Sequence, residues 1–270
     1  MICRTKPFVC APTHASTAFS SVLLLLLIAL VLDQRWAKAE SAPPEIARML
    51  ERALADAENL RQQLKTAEYD ASMRVHEWDG RGQLRGMATA QAIVRPGDPK
   101  PMTFISRKVE GRVRLPDDKP SKDDDDKEVT LQEFAREHRI AERFAYEATG
   151  WDEIAGARAQ RITFRPKPNQ PRRKTADRFL NRISGSGWIS EGENKLVKFE
   201  LKLEKPLQLF WIFAVLKDLS IRYELLEPGD ILGHAKIKVA YALTTPIYSI
   251  QQLHDVEIDN FRRRQSLAAH

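Results

Sequence analysis

The sequence predicts an α+β protein built on a large antiparallel sheet with few helices. Over residues 45–65, apolar side chains recur at steps of three and four, as on one face of an amphipathic helix. From Tyr69 onward the dominant apolar period is two, which is typical of half-buried strands. Many short strand patterns follow, separated by Gly and Pro. They do not alternate regularly with helices, which disfavours a parallel sheet.

The predicted elements follow in chain order. The helix is succeeded by a strand that alternates apolar and polar residues from Tyr69 to Val75 and ends at an Asp79-Gly80 turn. The spacing Thr130-x-x-Glu133 matches a capping box and predicts a second helix over 130–143. Further strands are predicted at 84–95, 102–109, 143–149, 157–165, 179–190, 195–204, 220–227, 235–243 and 256–262.

An N-terminal segment has the pattern of a secretory signal peptide. A run of 11 apolar residues, 22–32, is preceded by Arg4 and Lys6 and followed by Ala37-Lys38-Ala39. The run is well short of the roughly 20 residues that cross a bilayer as a helix. We therefore expect cleavage after Ala39 and a single periplasmic domain at 40–270, with an uncleaved inner-membrane anchor as the alternative.

Cleavage changes the chemistry that the mature protein can use. Both cysteines, Cys3 and Cys10, lie in the leader, so the mature chain has no disulfide, thiolate metal site or thiol nucleophile. The leader also contains four basic residues and one acidic residue, so the formal net charge falls from +6 to +3. Basic clusters at 172–174 and 262–264 are interpreted as solvated loop and tail charges, with attraction to anionic lipid as the alternative. We predict no nucleic-acid binding, because basic residues are not concentrated on one element.

Sequence motifs for catalysis are missing. The chain has no G-x-S-x-G, H-E-x-x-H, G-x-x-x-x-G-K-[ST] or G-x-G-x-x-G. His76-Glu77 lacks the second histidine of a zinc site, and no other histidines have ligand spacing. The aspartates at 123–126 lack the alternate spacing of a calcium loop and are interpreted as a solvated loop. We therefore predict no enzyme, cofactor or metal, with a dispersed active site as the least favoured alternative.

The segment 209–216 (LFWIFAVL) is the longest apolar run after the leader. It fits a strand buried on both faces, or a segment that contacts lipid or an apolar ligand. Trp211 lies within it and Trp188 on an earlier predicted strand. A curved sheet lined by such side chains would bind acyl chains by burial, worth about 0.8 kcal/mol per methylene. Such a protein needs no catalytic motif.

The order of elements resembles the periplasmic outer-membrane lipoprotein carrier and sorting proteins (LolA- and LolB-like). The resemblance rests on the secretion signal, the amphipathic helix and the alternating strand 69–75. It also rests on Arg95-Pro96, the paired patterns 187–189 and 196–200, and the turn 229–233. It implies a strongly curved sheet, a half-open barrel, whose concave face is covered by helices that act as a lid. It also implies that Arg95 latches the lid by hydrogen bonds; the alternative is a strand-end arginine in solvent.

The residues and the resemblance together predict non-enzymatic binding of lipid or lipoprotein acyl chains in an apolar concavity. The expected function is that of a lipoprotein-sorting carrier, and the expected partners are lipoprotein-handling proteins of the inner or outer membrane. The alternative is an envelope-stress sensor on the same scaffold that binds a membrane protein. The predicted pocket residues are Met73, Val75, Phe104, Trp188, Phe199, Leu201 and Trp211.

Overall fold

The computed structural model describes residues 44–96, 98, 101–113, 131–172, 175–193, 195–209, 214–228 and 232–263. The predictions for the leader, the acidic loop at 123–126, the capping residue Thr130 and the pocket residue Trp211 lie outside these residues. Among the described residues, no helix is long and apolar enough to cross a membrane.

The described residues form one long helix, three short helices and eleven strands. The helices are α1 (Pro44–Lys65), α2 (Leu131–Glu137), α3 (Ile140–Arg143) and α4 (Thr175–Leu180). The strands are β1 (Ala67–Asp79), β2 (Leu84–Val94), β3 (Met102–Gly111), β4 (Phe144–Ile154), β5 (Ala157–Pro166), β6 (Ile183–Ser190), β7 (Leu196–Leu203), β8 (Leu207–Leu209), β9 (Ala214–Glu227), β10 (His234–Thr244) and β11 (Ser249–Arg263).

The strands form one open, curved antiparallel sheet, which confirms the predicted fold class. Its order is β3-β2-β1-β11-β10-β9-β7-β6-β5-β4, and the short β8 pairs with the start of β9. Six of the pairings contain register shifts, for example between Glu77 and Trp78 and between Trp188 and Ile189. Because β-bulges bend a strand and increase its twist, these shifts contribute to the curvature.

One face of the sheet carries the main core, and we call it the inner face. Residues paired across neighbouring strands point to the same face. Successive pairings therefore place one row of side chains across the inner face: Val75, His254, Val239, Ile221, Leu201, Gly185, Phe164 and Tyr146. Helix α1 packs against this face through Ile46, Ala53 and Ala57, which follow the predicted helical spacing.

The prediction of a single helix over 130–143 was wrong in detail. The segment forms α2 and α3, separated by Arg139, whose φ of 52° is left-handed. Residues 179–182, predicted as the start of a strand, instead include the end of α4. Strands β4, β9 and β11 are longer than predicted. The apolar run 209–216 is not one strand, since Leu209 ends β8 and Ala214 begins β9 opposite it.

Candidate functional site

An apolar row crosses five adjacent strands of the inner face. It contains Met73 of β1, Val256 of β11, Ile237 of β10, Tyr223 of β9 and Phe199 of β7, each paired with the next. We call these five residues the apolar strip. The alternation of each strand places them on the inner face, because they lie two positions along from the row that begins at Val75.

The strip is covered unevenly. Phe199 is 1% exposed beneath the helices, in the same core cluster as Ile46 and Ala53 of α1. Met73, Val256 and Ile237 are only half-buried, although they lie on the same face. The inner face therefore has a closed half under the helices and a partly open half on β1, β11 and β10. The strip continues from one half to the other.

A polar cluster lies beside the open half. Glu77 is 7% exposed and Gln252 is 8% exposed, and Gln252 Nε2 donates to Glu77 Oε2 at 2.6 Å. Gln252 Oε1 accepts from Tyr241 Oη and lies 2.9 Å from His254 Nε2. Arg85 Nη1 lies 3.2 Å from Glu77 Oε1. The cluster links β1, β11 and β10, and the buried carboxylate has a cationic partner.

Burial changes the protonation of this cluster. It lowers the pKa of His254 to about 4, so the imidazole is neutral at pH 7. A neutral imidazole that donates from Nε2 satisfies the Gln252 oxygen. Burial, with the nearby Glu77 carboxylate, raises the pKa of Tyr241 to about 12, so its phenol stays protonated.

The low pKa of His254 predicts a loss of stability in mild acid. Between about pH 6.5, the ordinary histidine value, and pH 4, the unfolded chain binds the proton but the folded chain does not. The free energy of unfolding should therefore decrease as the pH is lowered through this window, by up to about 3 kcal/mol. Urea denaturation at pH 7.5, 6 and 5 measures this. His254→Gln should flatten the curve relative to the wild type; parallel curves for both proteins would contradict the assignment.

Five of the predicted pocket residues lie on the inner face. Met73 and Phe199 belong to the apolar strip. Val75 and Leu201 share the neighbouring row, and Phe104 is paired with Ala92 at the edge of the same face. Phe199 and Leu201 are core residues, whereas Met73, Val75 and Phe104 pack in a smaller cluster on β1–β3. They share a face but do not line one enclosed cavity together. Their role in ligand binding stays a prediction.

Trp188 lies on the opposite, outer face. It is paired with Arg161 and Lys198, whose charged groups lie 5.2 and 5.0 Å from the ring centroid. Its indole Nε1 donates to Asp152 Oδ2 at 2.6 Å, and the side chain is 5% exposed. This position suits a cation–π and hydrogen-bond anchor of the outer face.

Arg95 contacts the sheet in this structure. Its Nε donates to Glu68 Oε2 at 2.5 Å, and Glu68 also lies 3.2 Å from Arg262 of β11. Glu68 is the second residue of β1, three residues after α1 ends at Lys65. The contact joins the ends of β1, β2 and β11 next to the helix terminus. The latch role of Arg95 stays a prediction.

Two open cavities among the described residues are lined by many polar and charged side chains. The larger, about 570 Å³, is lined by an outer-face row, which contains Glu147, Thr163, Ser186, Glu200 and Arg222. The other, about 460 Å³, lies between the turns that end β1 and begin β11. An apolar ligand would therefore lie along the apolar strip, and neither polar cavity suits it.

A buried ionic network, which the sequence motifs did not indicate, joins α2, α3 and α4. Arg143 is 2% exposed, and its Nη2 donates to Asp177 Oδ1 at 2.7 Å. The same carboxylate oxygen lies 3.0 Å from His138 Nδ1, and Arg143 Nε donates to the His138 carbonyl at 2.9 Å. Arg143 also donates to Asn181. The network fixes the short helices to one another at the edge of the core.

No group of three or more His, Cys, Asp or Glu side chains within the described residues is arranged to hold a metal ion. The carboxylates of Glu77 and Asp177 are instead paired with arginine, and Gln252 contacts both Glu77 and His254. The inner face thus offers apolar surface with a few satisfied polar groups, which suits binding.

The fold is an open, curved antiparallel sheet with helices on one face. Comparisons with solved structures find several proteins with weak overall similarity to this chain. A DUF1329 family protein from Desulfovibrio piger is 10% identical, with a TM-score of 0.28 and coverage of 80% of this chain and 95% of that one. A domain described as an outer membrane lipoprotein-sorting protein, from Vibrio parahaemolyticus, is 7% identical, with a TM-score of 0.26 and coverage of 80% and 94%.

The MucA/MucB complex of Pseudomonas aeruginosa contains a third neighbour, 10% identical, with a TM-score of 0.21 and coverage of 78% of this chain and 100% of that one. The neighbours thus include a lipoprotein-sorting domain, the class that the sequence resemblance indicated. No protein-family model matches the chain, and no curated protein matches its sequence.

Proposed function

We propose that this protein binds the acyl chain of a lipid or lipoprotein, without catalysis, along the apolar strip of the inner face. The observation that carries the proposal is the continuity of the strip from the core at Phe199 to the half-buried Ile237, Val256 and Met73. A flexible chain of methylenes matches such a surface because apolar burial is non-directional and scales with contact area.

The partly open half supplies the apolar surface that a ligand can bury, and this burial is the source of its binding free energy. Each methylene that leaves water there contributes about 0.8 kcal/mol, so the affinity rises with the length of acyl chain that the strip covers, against the cost of association. The polar cluster at Glu77 and Gln252 limits the strip on one side. On this account the protein acts as a periplasmic carrier once the leader has been removed.

A fluorescent fatty acid, cis-parinaric acid, tests the proposal by titration. The wild type should bind it saturably, and Ile237→Ser should weaken binding about tenfold, since it removes apolar contact from the strip. The matched control is Leu253→Ser. Leu253 is also half-buried but is paired with His76 and Ala240 on the outer face. Equal loss in both variants, or no saturable binding by the wild type, would contradict the proposal.

The exposed edge of the sheet favours a second candidate, the binding of a membrane-protein partner. Among the described strands, β3 pairs only with β2, and its Ile105 and Val109 are 63% and 42% exposed. An edge strand with exposed backbone and apolar side chains can accept a partner strand. Ile105→Lys should then abolish capture of one defined envelope protein and leave fatty-acid binding unchanged.

A further inference from the structure

Two hairpin turns at one end of the sheet expose apolar side chains. The first turn joins β1 to β2 at residues 80–83, and the second joins β10 to β11 at residues 245–248. Ile247 is 92% exposed, the most of any large apolar residue among the described residues, and Leu84 and Tyr248 are 58% and 40% exposed. We call residues 80–85 and 245–248 the hairpin tip.

The two turns form one surface. Strand β1 pairs with β11, so that Asp79 lies opposite Ile250. A Cβ atom on Gly80 would lie 2.8 Å from Ser249 Cβ, which shows how closely the two turns approach. Both turns line the same open cavity of about 460 Å³. Ile247 and Tyr248 therefore share one surface with the first turn, and Leu84 directly follows that turn at the start of β2.

The turns are held by hydrogen bonds. Thr245 donates its N–H to the Tyr248 carbonyl at 2.8 Å, and its Oγ1 accepts from the N–H groups of Ile247 and Tyr248 at 3.3 and 3.1 Å. Asp79 Oδ1 accepts from the N–H groups of Arg81 and Gln83 at 2.8 and 3.0 Å. Ile247 is thus presented to solvent by an ordered turn. Its transfer into an apolar environment therefore costs little additional conformational entropy.

Cationic side chains surround the apolar patch. Arg81 and Arg85 line the cavity between the turns, and Arg112 is adjacent because its N–H donates to the Arg85 carbonyl. Opposing carboxylates at this end are Asp79, whose pKa is lowered by the two turn N–H groups, and the buried Glu77 beside Arg85. Three arginines against two carboxylates leave a positive excess at the rim of the patch.

We propose that the hairpin tip inserts into the interfacial region of an anionic lipid bilayer. Isoleucine and leucine would enter the acyl boundary, tyrosine favours the headgroup level, and the arginines would meet the lipid phosphates. The tip lies at the end of β1, β10 and β11, which carry the open half of the apolar strip. Insertion would turn this end of the sheet toward the membrane, with the polar cluster of Glu77 and Gln252 between the tip and the strip. The inference does not require that the strip binds an acyl chain.

Flotation with vesicles of phosphatidylethanolamine and phosphatidylglycerol tests this inference. Replacing Leu84 and Ile247 together by serine should lower the partition coefficient about 100-fold, roughly tenfold per side chain. The matched control replaces Ile105 and Val109 by serine. These residues are also exposed but lie within β3, and the control should bind within about twofold of the wild type. Both variants keep the same N-terminal segment, so a difference between their partition coefficients is caused by the residues of the hairpin tip.

A variant with one arginine removed separates the electrostatic contribution to vesicle binding from the contribution of apolar burial. Arg81→Gln should weaken binding to the anionic vesicles several-fold and leave binding to phosphatidylcholine vesicles unchanged. Arg165→Gln, which removes a 76% exposed arginine elsewhere, should change neither. Equal flotation of the tip variant, the β3 control and the wild type would overturn the inference. If the tip variant loses vesicle binding but retains fatty-acid binding, membrane insertion of the tip and acyl-chain binding along the strip are independent properties.

Discussion

Replacing Arg143 by methionine is expected to lower the free energy of unfolding by about 3–5 kcal/mol. The methionine leaves the Asp177 carboxylate, which is 5% exposed, without its cation. It also leaves the carbonyls of His138 and Pro171 without the guanidinium donor. A buried charge and unpaired carbonyls cost far more than the loss of packing. Chemical denaturation at pH 7 measures the change.

Two further variants test the physical cause. Arg165→Met, at a 76% exposed arginine of β5, should change stability by no more than about 0.5 kcal/mol. The double variant Arg143→Met with Asp177→Leu should be more stable than Arg143→Met alone, because it removes the stranded charge. If the effects of the two substitutions simply added, the network would not be the source of the loss.

The variant Phe199→Ala should also cost about 3–5 kcal/mol, by opening a cavity where the inner face is closed. Phe199 stacks on Phe164 at a centroid distance of 5.8 Å, and Phe164 meets Phe144 edge-on at 5.5 Å. All three rings are at most 3% exposed. Loss of one ring therefore removes contacts that the surroundings cannot restore. Thermal and urea unfolding should report the same change.

Two comparisons check that the cost comes from burial. Phe199→Leu keeps most of the volume and should cost clearly less. Phe104→Ala removes the same side chain from a half-buried position and should cost less than half as much. Equal losses for Phe199→Ala and Phe104→Ala would contradict the placement of the closed core on β5–β9.

The period of the apolar residues correctly predicted an element where one face of that element is buried along its whole length. Helix α1 was predicted because Ile46, Ala53 and Ala57 recur on the face that packs on the sheet. Strand β1 was predicted from its alternation up to Val75, and the same alternation continues inward to Glu77. Extending the alternation from Val75 to Glu77 would have predicted a buried carboxylate, which needs a partner.

The orientation of β6 was hidden by glycine. Its two central inner positions are Gly185 and Gly187, between the buried Ile183 and Ile189, so the apolar alternation is interrupted in the middle of the strand and Trp188 was expected to point inward. The structure supplies the reason. A Cβ on Gly185 would lie 2.7 Å from the Phe164 ring and 2.0 Å from the Glu200 carbonyl. The aromatic rings of neighbouring strands occupy the space, and that contact is not visible in local sequence.

Long-range polar pairs explain most of the remaining differences. The beginning of β11 was not predicted because Gln252 and His254 interrupt the apolar alternation, although both point inward to partners on β1 and β10. The break at Arg139 separates α2 from α3 beside the ionic network of His138 and Arg143. Glu77 is 175 positions from Gln252, and Asp177 is 39 and 34 positions from His138 and Arg143, so local patterns do not reveal these pairs.

Native mass spectrometry of the protein purified under gentle conditions tests acyl-chain binding most directly. The account predicts a population whose added mass equals that of an acyl lipid, which organic solvent extracts and which Ile237→Ser reduces but Leu253→Ser retains. A wild-type protein that shows only its bare mass, before and after incubation with fatty acid, would contradict the account.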